Sequence, residues 1–187
     1  MPRTTQARDK RNKEILEYVG NNPLATDEIL AEYFKVSINT IRLDRSRLGI
    51  KEFKERLKDM AHQNTKKVIS LNQSEIVGDI IEFIPGQMAI SRLEIKDYMS
   101  FENTNIIKGT YIYSMAEMLA ISLVPNKVAL VGVANIKYSK KILRSETVFA
   151  HATVKKKRTT NYIVWVEIRD NKEELRFKGK FLLKGII

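Results

Sequence analysis

The sequence contains no cysteine. That excludes disulfides, CxxC redox chemistry, thiolate metal sites and a cysteine nucleophile. Histidine is nearly as scarce: His62 and His151 are the only two, too few for a histidine-rich metal site. A long apolar run free of charge is missing as well. The longest apolar stretch, Ile106–Val124, is interrupted by Lys108 and Glu117, which argues against a membrane span. The first residues, MPRTTQARDKRNKEI, are polar and basic with no apolar core behind them. No secretory signal is expected, and a cytoplasmic setting is the default. Acidic residues are in deficit, 22 against 33 basic, for a formal net charge of +11. Such an excess favours negatively charged partners: nucleic acid, an anionic membrane surface or a phosphorylated cofactor. A basic surface with no such partner accounts for the charge equally well. With 43% apolar residues in 187, the chain has the composition of a globular protein, either one large domain or two small ones.

What is present begins with short helices. Ile15, Leu16 and Val19 recur at helical spacing, and Gly20 and Pro23 close that segment. Thr26 is placed to cap a second helix, DEILAEYF, with Asp27 and Glu28 in the first turn, where the helix dipole favours acids. Ile29, Leu30, Tyr33 and Phe34 are its candidate core residues. Ser37 then caps INTIRLDRSRL. Two short helices joined by a tight turn form a helix-turn-helix pattern. On a wheel of the second helix, Ile41, Asp44 and Leu48 face inward, and Asn39, Arg42, Leu43, Ser46 and Arg47 lie opposite. An outward amide, guanidinium groups and an apolar side chain are what base edges in a DNA major groove require. Ser37, Thr40, Arg45 and a basic arm (Arg3, Arg8, Lys10, Arg11, Lys13) are candidates for phosphate contacts, which supply affinity without sequence preference. Solvated charge on an ordinary helical domain is the plainer account. However, LAEYFKVSINTIRLDRSRL resembles the DeoR-type helix-turn-helix, with Lys35 where many relatives carry Gly in the turn.

A stretch without Gly or Pro follows. Ile50, Phe53, Leu57, Met60, Ala61 and Val68 keep i, i+3, i+4 spacing, and lysines, Glu55 and Arg56 fill the other face. This predicts one amphipathic helix from about Lys51 to Lys67. Its apolar seam must bury against the DNA-reading unit, the C-terminal domain or a second copy. Beyond Ser74 the pattern turns to strands. EIVGDIIEFI and QMAISRLEI flank the turn signal Pro85-Gly86, and four further β-branched or aromatic-rich segments follow the Ile106–Val124 stretch. In one of them Tyr162, Val164, Val166 and Ile168 alternate with Ile163, Trp165 and Glu167. An antiparallel sheet curved around one central helix explains a helix that is apolar almost all round. That order of elements resembles the hot-dog fold, whose members usually bind acyl-CoA or acyl-carrier thioesters at a dimer interface.

Taken whole, the chain is similar to the FapR family of bacterial repressors of fatty-acid and phospholipid synthesis genes. The family's VSIxTIRLDR string stands here as VSINTIRLDR, Val36 to Arg45. The resemblance implies an α+β chain of three parts. Residues 1–49 form a winged-helix-like helix-turn-helix domain, 50–70 a linker helix, and 71–187 a hot-dog domain for effector binding and dimerisation. It further implies a homodimer on a double-stranded DNA operator, with no membrane role and no enzymatic activity. It implies no metal or cofactor, but an effector: malonyl-CoA or another acyl-CoA, or an acyl thioester carried by acyl carrier protein.

By the spacing of the family's effector phrase, Phe101, Lys108, Gly109 and Glu117 occupy its positions. Phe101 and Gly109 agree with it, and Gly109 at a helix start would let an anion approach the backbone. Lys108 stands for the family's Arg and keeps the charge without the planar bidentate grip. Glu117 stands for Asn, and a carboxylate there repels an effector's own carboxylate. Three readings of Glu117 stay open: a structural acid that accepts hydrogen bonds or pairs with Lys108 of the partner subunit, a sensor for an acyl group with no distal carboxylate, or a catalytic acid. In the last case the protein would be an acyl-CoA thioesterase with a basic or DNA-binding appendage, and Thr110 and Ser114 would share its polar stripe. His151 is read as packing or surface. The run Lys155–Arg158 is either a solvated turn, the plainer reading, or a clamp for CoA phosphates.

Overall fold

In the computed structural model, backbone is described for residues 3–186 and side chains for residues 8–186. The chain divides into two compact units, Met1–Asp59 and Met60–Ile187.

The first unit is helical. Helix α1 (Arg3–Asn21), α2 (Asp27–Phe34) and α3 (Ile38–Arg47) bury a small core of Ile15, Val19, Ala25, Leu30, Ala31 and Ile41. Both caps form as their residue types dictate. Thr26 Oγ1 accepts from the Ile29 N–H at 3.4 Å, and Ser37 Oγ accepts from the Thr40 N–H at 3.2 Å. Between them, Lys35 takes the left-handed conformation with φ of 52°. Its N–H caps the carbonyls of Ala31 and Glu32, so a lysine performs the helix-ending turn usually given to glycine. Ile29 and Tyr33, expected in the core, are exposed instead, as is Leu16. Around so small a core these helices bury a narrower stripe than their sequences offer. Tyr33 stacks on Tyr18, ring centroids 4.4 Å apart, rather than entering the core.

Helix α4 (Phe53–Thr65) is shorter at both ends than its pattern predicted, and the boundary between the units falls within it. In the first unit Leu57 is buried, and the Arg56 guanidinium donates to the carbonyls of Pro23, Ala25 and Lys51. In the second, Asn64 Nδ2 donates to the Ile80 carbonyl at 3.2 Å.

The second unit is a six-stranded antiparallel sheet in the order β1-β2-β4-β5-β6-β3. The strands are β1 (Asp79–Ile84), β2 (Met88–Glu94), β3 (Ala129–Tyr138), β4 (Thr147–Arg158), β5 (Asn161–Asp170) and β6 (Leu175–Gly185). Gly86, at φ of 70°, makes the β1–β2 turn, and its N–H donates to the Leu123 carbonyl at 3.1 Å. Along β5 the expected alternation holds: Tyr162, Val164, Val166 and Ile168 are buried, and Trp165 is exposed. The inner face wraps helix α5 (Gly109–Ser122), whose Ile112, Met115, Ala116, Leu119 and Ala120 pack with Val164, Val166, Ile168, Phe177 and Phe181. The sheet does not cover α5 all round. Tyr111, Tyr113, Ser114, Glu117 and Met118 remain only half-buried. Among the described residues, no helix is long and apolar enough to cross a membrane.

Candidate functional site

Helix α3 is held from its inner side by charge as well as by apolar packing. Asp44, 1% exposed, accepts from Arg11 Nε at 2.8 Å and lies 3.5 Å from Arg47 Nη1. Asp27, at the start of α2, takes Arg45 Nε at 3.0 Å and lies 3.5 Å from Arg42 Nε. These pairs fix the helix so that Asn39, Arg42, Leu43, Ser46 and Arg47 stand together on an exposed face, with Thr40 half-buried beside them. The face carries an amide, a hydroxyl, an aliphatic side chain and two guanidinium groups.

Two expected phosphate contacts are elsewhere. Arg45 is buried, its fork spent on Asp27 and its Nη1 on the Ile50 carbonyl at 3.0 Å. Arg11 is turned inward to Asp44. A buried carboxylate needs such a partner, and that need outweighs any benefit of a free guanidinium. Arg8 and Lys10 lie within ion-pair reach of Asp9 and Glu14, at 3.6 and 3.9 Å, and Lys13 is exposed. The Arg3 side chain lies outside the described residues. Ser37 is engaged as the cap of α3, with Thr40 Oγ1 2.9 Å from its hydroxyl.

In the second unit a cleft of ≈ 470 Å³ opens at the start of α5. Ile106, Gly109 and Thr110 line one side, and Tyr138, Lys140 and Lys141 the other. Gly109 also lies in close contact with an edge-strand side chain. A Cβ on it would lie 3.1 Å from the Tyr138 hydroxyl oxygen and 3.2 Å from its ring, and that hydroxyl donates to the Gly109 carbonyl at 2.9 Å. Partial burial pushes the Tyr138 hydroxyl above its ordinary pKa. The two lysines are fixed by a network behind them. Arg176 donates to the Lys141 carbonyl and, at 2.6 Å, to Asp170, and Lys140 pairs with Glu174. Burial alone would raise the Asp170 carboxyl. The Arg176 guanidinium and the N–H groups of Glu174 and Lys172 more than offset this and hold it below the usual carboxylate range.

Of the four expected effector residues, only Gly109 lines this cleft. Lys108, just before it, is half-buried at the cap of α5, and Phe101 is exposed in the preceding loop. Glu117 sits two turns further on, accepting from the Tyr113 hydroxyl at 3.2 Å. Burial, then the Glu117 charge, raises the Tyr113 pKa. Tyr138, Lys140 and Lys141 were not singled out from the sequence, although YSKK is a basic break between two strands. Among the described residues, no group of three or more His, Cys, Asp or Glu is placed to hold a metal ion.

No family model matches the chain. Curated relatives do. A protein named transcription factor FapR from Thermoanaerobacter sp. is 44% identical over 177 residues, 95% of this chain and 88% of that one. Another of the same name from Halalkalibacterium halodurans is 37% identical over 92% of each. The chain belongs to the FapR family. Solved structures resemble its sheet-and-helix part. The E. coli PaaI protein from a phenylacetic acid degradation operon matches with a TM-score of 0.59 at 16% identity, over 70% of this chain and 96% of its own. The Streptococcus mutans protein smu.793, solved bound to acetyl CoA, matches with a TM-score of 0.53 at 18% identity, over 57% and 86%. At such identities the likeness shows a fold, the hot-dog arrangement of a sheet wrapped around one helix. For this FapR-family chain it leaves the cleft at α5 as the candidate ligand site and the outer side of α3 as the candidate partner face.

Proposed function

We propose that this protein is a homodimeric repressor of lipid-synthesis genes that leaves its DNA operator when an acyl thioester binds the hot-dog domain. The observation that carries the reading is the exposed α3 face of Asn39, Arg42, Leu43, Ser46 and Arg47, oriented by Asp27 and Asp44, whose main partners are the inward-turned Arg45 and Arg11 and which Arg42 and Arg47 approach only to 3.5 Å. Helices α2 and α3 act as a helix-turn-helix, with α3 in the major groove. Arg42 and Arg47 reach guanine or phosphate, Asn39 adenine, and Leu43 a thymine methyl. Dimerisation suits a near-palindromic operator. It is supported by the sheet edge at β3, where Leu130 and Ile136 are exposed beside strand hydrogen-bonding groups that no neighbouring strand takes up.

The effector enters the cleft at the start of α5, with Lys140 and Lys141 in its lining and Lys108 beside it at the α5 cap attracting the anionic head of an acyl-CoA or acyl-carrier thioester. Malonyl-CoA is one such ligand. An acyl chain that runs from the cleft along α5 reaches Glu117, two turns further on and hydrogen-bonded by Tyr113, and a carboxylate there favours acyl groups without a distal carboxylate of their own. Binding favours an arrangement in which the α4 connector draws the DNA-reading units out of register with the operator half-sites.

One experiment addresses both halves. In a mobility-shift assay on operator-containing DNA, Arg42→Ala weakens binding, and acyl-CoA releases the wild type but not Lys108→Ala. Unchanged binding by Arg42→Ala removes the α3 assignment. An unchanged release curve for Lys108→Ala moves the effector site elsewhere. A thermal-shift panel of malonyl-CoA, acetyl-CoA and long acyl-CoAs identifies the acyl group by the largest stabilisation.

A further inference from the structure

The outer face of the sheet, turned away from α5, carries a patch that neither the DNA face nor the cleft uses. Register places Val133, Leu182 and Ile163 side by side across β3, β6 and β5, with Asn135, Lys180 and Trp165 in the next outward row. Trp165 is 50% exposed, Val133 47% and Leu182 36%. Around them stand Lys155, Lys156, Arg158, Lys178, Lys180 and Lys184, all exposed, and Lys155 Nζ lies 5.8 Å over the Trp165 ring. Across these rows the one carboxylate is Glu167, which accepts from Arg169 at 2.7 Å. Two hollows, ≈ 510 and ≈ 420 Å³, open on the face, one at Val133, Ile163 and Leu182, the other at Trp165 and Lys180.

We infer that this face is a docking surface for an acidic amphipathic helix of another protein. An apolar centre with an aromatic anchor, ringed by cations that form no ion pair among the described residues, is the anatomy of a protein interface whose partner is acidic. The two hollows lie two strand residues apart, about 7 Å, close to the rise of about 6 Å between helix positions i and i+4. A second copy's identical face would bring like charges together. The chain's own α4 segment fits no better, because Lys54, Arg56 and Lys58 outnumber Glu55 and Asp59 on it. Nucleic acid would use the cations and stack one base on Trp165, but aliphatic Val133, Ile163 and Leu182 in the neighbouring hollow give successive bases no second stacking surface. A bilayer needs a protruding apolar edge, and here the apolar residues line hollows.

Trp165 is the chain's only tryptophan, so its fluorescence reports on this face directly. The test uses the full chain and a labelled helical peptide with a glutamate face and leucines at i and i+4. The peptide is expected to blue-shift Trp165 saturably and shield it from acrylamide. Lys180→Glu/Lys184→Glu, with an unchanged circular dichroism melt, is expected to weaken peptide binding roughly tenfold or more. Leu182→Ser tests the apolar anchor separately, with a similar loss expected. Four results overturn the inference: Trp165 already shielded in the free protein, which means that the chain or a second copy covers the face; equal binding of a lysine-faced peptide; no saturable shift with the acidic peptide; or a shift with phosphatidylglycerol vesicles or non-operator duplex DNA alone.

Discussion

The two units are stabilised by different physics. The helical unit buries a handful of apolar side chains, and two almost inaccessible groups in it, Asp44 and Arg45, are charged. The sheet unit buries a far larger apolar cluster around α5, with its charge network at Asp170 and Arg176 behind the cleft. A small core leaves α3 oriented by ion pairs, which hold direction well but add little net stability. A large core leaves the sheet rigid and frees its polar groups to shape a cleft. Core truncation should therefore damage the second unit most, and charge removal the first.

The largest expected effect is Phe181→Ala. Phe181 is fully buried against Phe177 and α5, and its removal leaves a cavity, so a loss of about 3–5 kcal/mol is expected. Denaturation followed by Trp165 fluorescence measures it, since that residue lies in the same sheet. A loss under about 1 kcal/mol would mean that the core collapses freely there. Next comes Asp44→Ala, which strands Arg11 and loosens α3. About 2–3 kcal/mol, at the low end for a broken buried pair because Arg11 is partly exposed, is expected from helicity-monitored denaturation. The Trp165 transition should stay in place. If both transitions move together, the two units are not separately stabilised.

Much of this contrast was legible locally. Caps at Thr26 and Ser37, the left-handed Lys35 and the alternation along β5 depend on neighbours a few residues away, so the sequence pattern carries them. What escaped depends on distant partners. Arg45 looked like a phosphate contact because its acceptor, Asp27, lies 18 residues away. Arg11 and Asp44 are 33 apart, and Tyr138 and Gly109 are 29 apart. Glu117 is a milder case. Its stretch read as buried on nearly every side, whereas the sheet leaves one flank of α5 uncovered and the carboxylate rests there with Tyr113.

Acid sharpens the comparison further. The Asp170 carboxyl is held below its unfolded value, so its contribution is fully present above the unfolded pKa of about 4 and is lost as pH falls through the lower folded one. Wild-type sheet stability should therefore fall in that acid window, and Asp170→Asn should flatten this part of the curve while lowering the plateau above it. The variant should also weaken the acyl-CoA response at neutral pH, because Arg176 loses the partner that aims it at the Lys141 carbonyl.

The smallest expected effect on stability is the one that separates packing from ligand binding most cleanly. Gly109→Ala adds a Cβ 3.1–3.2 Å from Tyr138, a contact that requires the ring to move by a few tenths of an ångström. Tyr138 is nearly half exposed on an edge strand, so it can yield. Alanine also favours the first turn of a helix over glycine by about 0.5–1 kcal/mol, which opposes the crowding. The net change should lie within about 0.5 kcal/mol by Trp165-monitored denaturation. The cleft, however, loses space at the point where α5 begins, and the Tyr138 hydroxyl shifts from the Gly109 carbonyl. An acyl-CoA thermal shift that shrinks while the ligand-free melt stays fixed places the ligand against this helix start. A full acyl-CoA shift in the same variant leaves Gly109 with a packing role alone.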